Sequence, residues 1–404
     1  MIFIGLLKLI FKEGAFQLVD QKGSSYLIGD DTEPVCTLLL HKNLKKLSLI
    51  FNPTLRMPEE YMKGTLTIQG GNLYDFLDIA SKNIRRFENS KCYRFLRCLN
   101  FASLGQYNPI RKARVNVAHH YDLSDKLYDI FLDSDRQYSC AYFTTNHTDL
   151  ENAQLDKKHH IATKLRLEKG QKILDIGSGW GGLVLYLAQS ADVNVKGITL
   201  SKEQYEISIK RAKEIKKSEK VSFELQDYRN ENEIFDRIVS VGMFEHVGTR
   251  NYREFFEKIN EILALNGVMV LHFIGRVDSP HSINPFIRKY IFPGADLPSL
   301  SQVLKAIEPT RLMVTDVEVL RLHYAKTLRL WREKFMEQWD EVAEIYDQKF
   351  CRMWEIYLAL CEVGFRNLGL VVFQIQITKT IDAVPLTRDY MINPDPICKG
   401  SILK

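Results

Sequence analysis

"LDIGSGWGGLVLYLA", residues 174–188, closes a short apolar run on glycines and then turns helical. Gly177, Gly179 and Gly182 satisfy GxGxxG between a strand and a helix. Glycines there let the chain turn tightly and let a ligand approach with no Cβ atoms in the way. The pattern alone serves several nucleotides. Two details favour S-adenosylmethionine over a dinucleotide. Asp175 sits at the strand end, where a carboxylate binds an ammonium group and repels a pyrophosphate. The following strand ends in "GITLSKEQ", with no acid for a ribose diol. Thr199 and Gln204 offer neutral hydrogen bonds instead. Gln226 and Asp227 of "LQDYR" end the strand after that, a suitable place to hold an adenine amino group.

Outward from this loop, "KILDIG", "VNVKGIT", "VSFELQD", "FDRIVSVG" and "GVMVLHFI" read as strands. "SKEQYEISIKRAKEI" and "NYREFFEKINEILAL" read as helices among them, and "GLVVFQIQITK" as a further strand. Such alternation predicts an α/β fold with a mostly parallel, doubly wound sheet. An insertion rich in aromatic and basic residues occupies about 276–365. The first 80 or so residues predict short strands and turns, from "SYLIG", "VCTLLL" and "GTLTIQG". A helix follows, with Leu73, Phe76, Leu77 and Ile84 on one face. The link falls near "GQYNPI", giving a small α+β domain over 1–105 and a catalytic domain over 110–404.

The chain has 404 residues, 45% hydrophobic and 26% charged, enough for two domains with cores of their own. Between Lys82 and Arg114 nine basic residues face one acid, Glu88; this window carries +8 of a net +5 and leaves the remainder at −3. Such a stripe suits phosphate groups, or is a solvated helix face. The seven cysteines are scattered without a CxxC pair, which predicts a reducing compartment and neither a disulfide framework nor a zinc knuckle. "MIFIGLLKLIF" is apolar but broken by Lys8 and far short of the roughly 20 residues that span a bilayer. It packs on its own domain or touches a membrane surface. The pairs His119–His120 and His159–His160 are poor chelating units because adjacent side chains diverge, so no metal is expected.

The segments "NVAHHYDLSDKLYDIFLD" (116–133), "YSCAYF" (138–143), "VSVGMFEHVG" (239–248), "LHFIGR" (271–276), "FIRKYIFPGADLPSL" (286–300) and "HYAKTLRLW" (323–331) join those above in one order. Together they resemble the bacterial cyclopropane-fatty-acyl-phospholipid synthases and their mycolic-acid-modifying relatives. "MPEEYMKGTLTI" resembles the small N-terminal domain of the phospholipid enzymes. The resemblance implies a Rossmann-like class I S-adenosylmethionine-dependent methyltransferase. Its activity would be methylene addition across a cis double bond of an unsaturated phospholipid acyl chain, with bound bicarbonate taking up a proton. It further implies a bicarbonate pocket made by Cys140, Glu245, His272, Ile274 and Tyr324, with Tyr138 and Ser139 facing the cofactor. The implied setting is a cytoplasmic homodimer, peripheral at the inner membrane face, with the N-terminal domain helping lipid access. Nucleic acid is not an expected partner.

The residues suit that chemistry. An isolated alkene must be pressed onto the sulfonium methyl in a dry site. Aromatic faces stabilise the resulting cation; Tyr138 and Tyr324 are candidates, whereas Tyr142, Phe143, Phe244 and Phe273 read as core. His272 and Tyr324 can donate hydrogen bonds to an anion, Ile274 only its backbone N–H, and ionised Glu245 accepts. Cys140 need not be a nucleophile, since methyl transfer to an alkene requires no covalent enzyme intermediate. His246 reads as a loop-orienting residue. Arg288, Lys289, Arg329, Arg332 and Lys334, interleaved with Phe286, Tyr290, Phe292, Trp331 and Phe335, suit a headgroup–acyl interface or an ordinary amphipathic helix. Rival readings are a fatty-acid methyltransferase leaving a methyl or methylene branch, an amine methyltransferase, a non-catalytic lipid-binding protein, and an NAD-dependent reductase, the last disfavoured by Asp175.

Overall fold

The computed structural model describes residues 2–42, 44, 49, 52–88, 125–145, 147–215 and 218–392. Most of the basic stripe, Cys92, Cys98, Cys398, His119–His120, the "GQYNPI" link and residues 116–124 of the first family segment lie outside them. The chain divides into two compact units. The first takes Met1–Ser103, Ser282–Ile291 and Ala325–Leu370; the second takes Leu104–His281, Phe292–Tyr324 and Val371–Lys404. Two parts of the stretch read as an insertion in the catalytic domain thus cluster with the N-terminal residues.

In the first unit, β1 (Ala15–Val19), β2 (Ser25–Gly29), β3 (Pro34–Leu40) and β4 (Leu66–Gln69) form one sheet in the order β2-β1-β3-β4. The β1–β2 hairpin is fixed by Asp20, whose carboxylate accepts from the backbone N–H of Lys22 and Ser24. Phe16 meets Phe11 and Phe76 edge-on, at 5.0 and 5.2 Å between ring centres. Buried Asn83, on the helix Leu73–Glu88, accepts from the N–H groups of Lys12 and Glu13 and donates to the Glu13 carbonyl. The helix is thereby locked to the approach to β1. Leu73, Phe76 and Leu77 are buried as the spacing predicts, and Ile84 is half-buried. The helices that escaped the sequence reading include Ile2–Ile10 and Pro53–Met62; the second carries Pro58 inside it.

The mixed aromatic and basic stretch near 286–335 is partly buried. Phe286, Trp331 and Phe335 are fully buried. Arg332 is spent on Glu362, itself inaccessible to solvent and also held by Arg366, both at 3.0 Å. Lys289 pairs with buried Glu59 at 2.7 Å. In this stretch Phe286, Trp331 and Phe335 go inward, and Lys289 and Arg332 neutralise buried carboxylates, which would otherwise be costly; Arg288 and Arg329 stay exposed.

The second unit holds β5 (Lys172–Ile176), β6 (Asn194–Thr199), β7 (Val221–Leu225), β8 (Phe235–Val241), β9 (Leu263–Arg276), β10 (Met313–Val319) and, but for its first residue, β11 (Leu370–Thr378). Their order is β10-β11-β9-β8-β5-β6-β7. β7, β6, β5, β8 and β9 pair in parallel, and β10 runs antiparallel to β11. Among these strands β10 was not anticipated, and "LAL" (263–265) begins β9 rather than ending a helix. Parallel strands covered on both faces must be apolar throughout; Ile173, Leu174, Ile176, Ile238, Val239 and Val268 to Leu271 are accordingly buried. The strand order reverses at β5, with β6 on one side and β8 on the other. The crevice beyond the carboxyl ends at such a reversal is where open α/β sheets bind ligands.

Candidate active site

A cavity opens at that reversal. Asp175, Ile176 and the turn Gly177–Trp180 line it from the end of β5, and Ile198 to Leu200 from β6. Gln226 to Arg229 follow β7, Val241 to Met243 follow β8, and Arg136 to Ser139 close one side. Gly177 and Gly179 hold φ of +86° and +55°, the left-handed region in which a side chain is strained. Ser178 Oγ, buried and lacking a hydrogen-bond partner among the described residues, adds an unmet polar atom.

Nine of the ten residues expected to meet the cofactor line this cavity: Tyr138, Ser139, Asp175, Gly177, Gly179, Thr199, Gln204, Gln226 and Asp227. Gly182 does not. A Cβ there would stand 2.3 Å from Gln137 Nε2 and 2.4 Å from Asp135 Oδ2. Its role in the fold is clearance, letting the 135–139 loop lie on the start of the helix Gly182–Ser190. The neutral groups are already interlinked: Thr199 Oγ1 donates to Gln204 Oε1 at 3.0 Å, and Gln226 Nε2 to Glu231. Both Asp227 oxygens are gripped by the Arg229 guanidinium, so an adenine amino group would share that carboxylate.

Asp175 is sealed from solvent. Burial pushes its carboxyl up to about 7, and the Lys157 charge pulls the other way. Lys157 itself was missed by the sequence reading. It lines the cavity fully buried, donating to Gln137 Oε1 at 2.7 Å and Ser139 Oγ at 2.8 Å. Burial brings its ammonium down to about 8, against the pull of Asp133. The signal was helical spacing: Gln154, Lys157 and Lys164 alternate with Ala153 and Ile161 on the buried side of the helix Leu150–Leu165. Asp135, paired with Lys158 at 2.5 Å and with Arg211, fastens the same loop. We expect Lys157→Met to weaken S-adenosylmethionine binding about tenfold, the scale of one or two charged hydrogen bonds. Calorimetry would read it, and unchanged affinity would show that the lysine does not organise the loop.

None of the five residues expected around an anion lines that cavity. Three are brought together beside it. Glu245 Oε1 accepts the Ile274 N–H at 2.6 Å, and Oε2 is buried without a partner. That engagement corrects the donor role foreseen for Ile274: its N–H is committed to Glu245. His272 lies two residues earlier on β9, and its carbonyl accepts the N–H of cavity-lining Gly242 at 2.9 Å. Burial raises Glu245 to about 7 and holds His272 well below its ordinary value, where it is neutral. Lys157 acts electrostatically on both His272 and Cys140. Cys140 is buried, with its thiol directed at the Ala141 carbonyl. Tyr324 is buried as well. His246 lines the cavity, packed near Phe292 and pushed down to about 4 by burial. Phe244 and Phe273 belong to the core beneath.

A family model described as mycolic acid cyclopropane synthetase matches residues 109–375. Cyclopropane-fatty-acyl-phospholipid synthase of Escherichia coli is 37% identical over 333 residues, 81% of this chain and 84% of that one. The tuberculostearic acid methyltransferase UfaA1 of Mycobacterium tuberculosis is 37% identical over 276 residues, 65% of this chain and 64% of its own. The crystal structure of mycolic acid cyclopropane synthase CmaA1 complexed with SAH and CTAB is 33% identical, with a TM-score of 0.63 over 67% of this chain and 99% of that one. The fold is that of class I S-adenosylmethionine-dependent methyltransferases. A glycine turn at the sheet's reversal point, a buried acid beside it and a match across two thirds of the sequence lead to one assignment: the chain belongs to the mycolic acid cyclopropane synthetase family.

Proposed function

We propose that this chain is an S-adenosylmethionine-dependent cyclopropane-fatty-acyl-phospholipid synthase, with Cys140, Glu245, His272 and Tyr324 forming an anion pocket for bicarbonate. The observation that carries the reading is the buried Glu245–Ile274–His272 group beside the glycine-turn cavity. Glu245 Oε2, buried and unmet, fits a bicarbonate O–H, and neutral His272 and Tyr324 fit its oxygens as donors. Asp175, Lys157 and Ser178 fit the charged end of S-adenosylmethionine. When bound, S-adenosylmethionine supplies the methyl carbon and bicarbonate supplies a base.

The chain's own part is arrangement and exclusion. The cation that methyl transfer would leave on the acyl chain must be kept from water, which would quench it. The close-packed rings of Tyr128, Phe131 and Tyr138, with Trp180 against Tyr128, keep that side of the cavity apolar. The Tyr138 face stabilises positive charge. Loss of a proton from the new methyl group then lets the ring close, and Glu245 holds the receiving group in register. Water exclusion and donor placement are what a site can contribute without reorganising during the reaction.

No described helix is long and apolar enough to cross a membrane. On this reading the enzyme works as a homodimer, peripheral at the cytoplasmic face. The N-terminal unit would aid lipid access, and exposed Leu6 and Leu9 of the helix Ile2–Ile10 support contact with a bilayer surface. The similarity to a tuberculostearic acid methyltransferase favours a second reading, transfer that leaves a branch. Incubation with labelled S-adenosylmethionine and unsaturated phospholipid vesicles separates the two. We expect a lipid heavier by one methylene, with no alkene and no exocyclic methyl by proton NMR, and with bicarbonate restoring activity to enzyme stripped of carbon dioxide. A branched product would favour the second reading, and indifference to bicarbonate would remove the anion pocket.

A further inference from the structure

Gln374 is fully buried on β11, next to β9 in the sheet. Its Nε2 stands 3.1 Å from Nδ1 of His272, and its Oε1 has no partner among the described residues. Turning the amide round would put Oε1 on Nδ1 and leave the amide nitrogen, with its donors, as the unmet buried group. An under-satisfied acceptor is the better tolerated of the two. The amide nitrogen therefore donates. A neutral imidazole carries one N–H and one bare nitrogen, so donation into Nδ1 leaves the proton on Nε2.

The groups acting on this imidazole keep it neutral. Burial opposes protonation, and so do Lys157, Lys164 and His160; Glu318 pulls the other way. With charge excluded, the tautomer is the remaining choice, and it decides whether the ring's free side offers a donor or an acceptor. An anion needs the donor.

We propose that Gln374 is a positioning residue that fixes His272 as the Nε2–H tautomer, so that the pocket meets a bicarbonate with a hydrogen-bond donor. The inference rests on the role given to His272 above. Its first test is independent of activity: NMR of the full chain labelled with 15N-histidine, the His272 signal identified by its loss in His272→Gln. A bare, pyridine-type Nδ1 and a protonated Nε2 are expected; a proton on Nδ1 overturns the proposal. Gln374→Met removes the donor at similar volume. It should give mixed tautomers, raise the half-saturating bicarbonate concentration about tenfold, the weight of one buried hydrogen bond, and leave S-adenosylmethionine affinity within about twofold. An unchanged tautomer and unchanged bicarbonate requirement in that variant overturn the proposal as well. If Gln374→Met does not fold, the spectrum of the unaltered chain decides. Full turnover by His272→Gln would instead overturn the functional reading, with the tautomer still measured on its own.

Discussion

Glu245→Gln should lower turnover by about a hundredfold to a thousandfold, the range for losing a positioned proton-handling group, while S-adenosylmethionine affinity stays within about twofold. The carboxylate is buried, with one oxygen on the Ile274 N–H at 2.6 Å and the other unmet. Ionised, it only accepts; a glutamine puts an amide N–H₂ or a weaker carbonyl at the same place. The fold should tolerate the exchange, because a glutamine carbonyl can still take the Ile274 N–H. The pH profile sharpens the test. Burial raises Glu245 to about 7, so the acceptor form fills as pH rises through that value. Turnover of lipid by the unaltered chain saturated with both co-reactants should therefore climb across the neutral region. The variant should lack that limb. His272 and His246, both held neutral by burial, contribute no competing step there. Equal turnover in variant and parent, or an unaltered acid limb, would remove Glu245 from the chemistry.

What could be read in advance follows from how local each signal is. β5, β6, β8 and β9 announce themselves as apolar runs because a covered parallel strand buries both faces. β10 (Met313–Val319) does not: it lies at the sheet edge, half-buried, and its one buried side chain is Asp316. The helix Pro53–Met62 is masked by Pro58, a residue that ordinarily argues against a helix interior. The unit containing 282–291 and 325–370 with the N-terminus has no local signature, since its contacts join residues hundreds of positions apart, as Tyr61 with Glu355. At the site, the glycine turn and Asp175 were legible because backbone geometry and strand ends impose them. Lys157 and Gln374 were not. A buried polar side chain is defined by partners on other elements, here Ser139 and His272, and the sequence names those partners only after the fold has joined them. Gly182 fits a cofactor motif by spacing, yet what requires it is the approach of Asp135 and Gln137.

Asp175→Asn should cost about a hundredfold in S-adenosylmethionine affinity, the scale of stranding a buried cation without its counter-charge, and should make the ligand-free protein more stable. The two effects have one cause. Burial lifts the Asp175 carboxyl from an ordinary 3.8 to about 7. The native state therefore holds a proton that the unfolded chain gives up, and stability present below the unfolded value is lost as pH rises through this window. At pH 8 the charge is fully formed in a dry place, with only Lys157 to offset it. Each unit of displacement is worth about 1.4 kcal/mol, so the penalty is on the order of 4 kcal/mol. Asparagine is never charged and avoids it, so the melting temperature of the ligand-free variant should exceed the parent's at pH 8 and converge with it towards pH 4. Binding has the opposite sign. The ammonium group needs the ionised acid, so parent affinity should fall as pH drops below about 7, while the variant's stays flat. An acid kept where it destabilises the empty protein is the signature of a residue retained for its ligand. Should the variant bind as tightly as the parent, or melt lower at pH 8, Asp175 would be a structural residue and the cofactor's amino group would sit elsewhere.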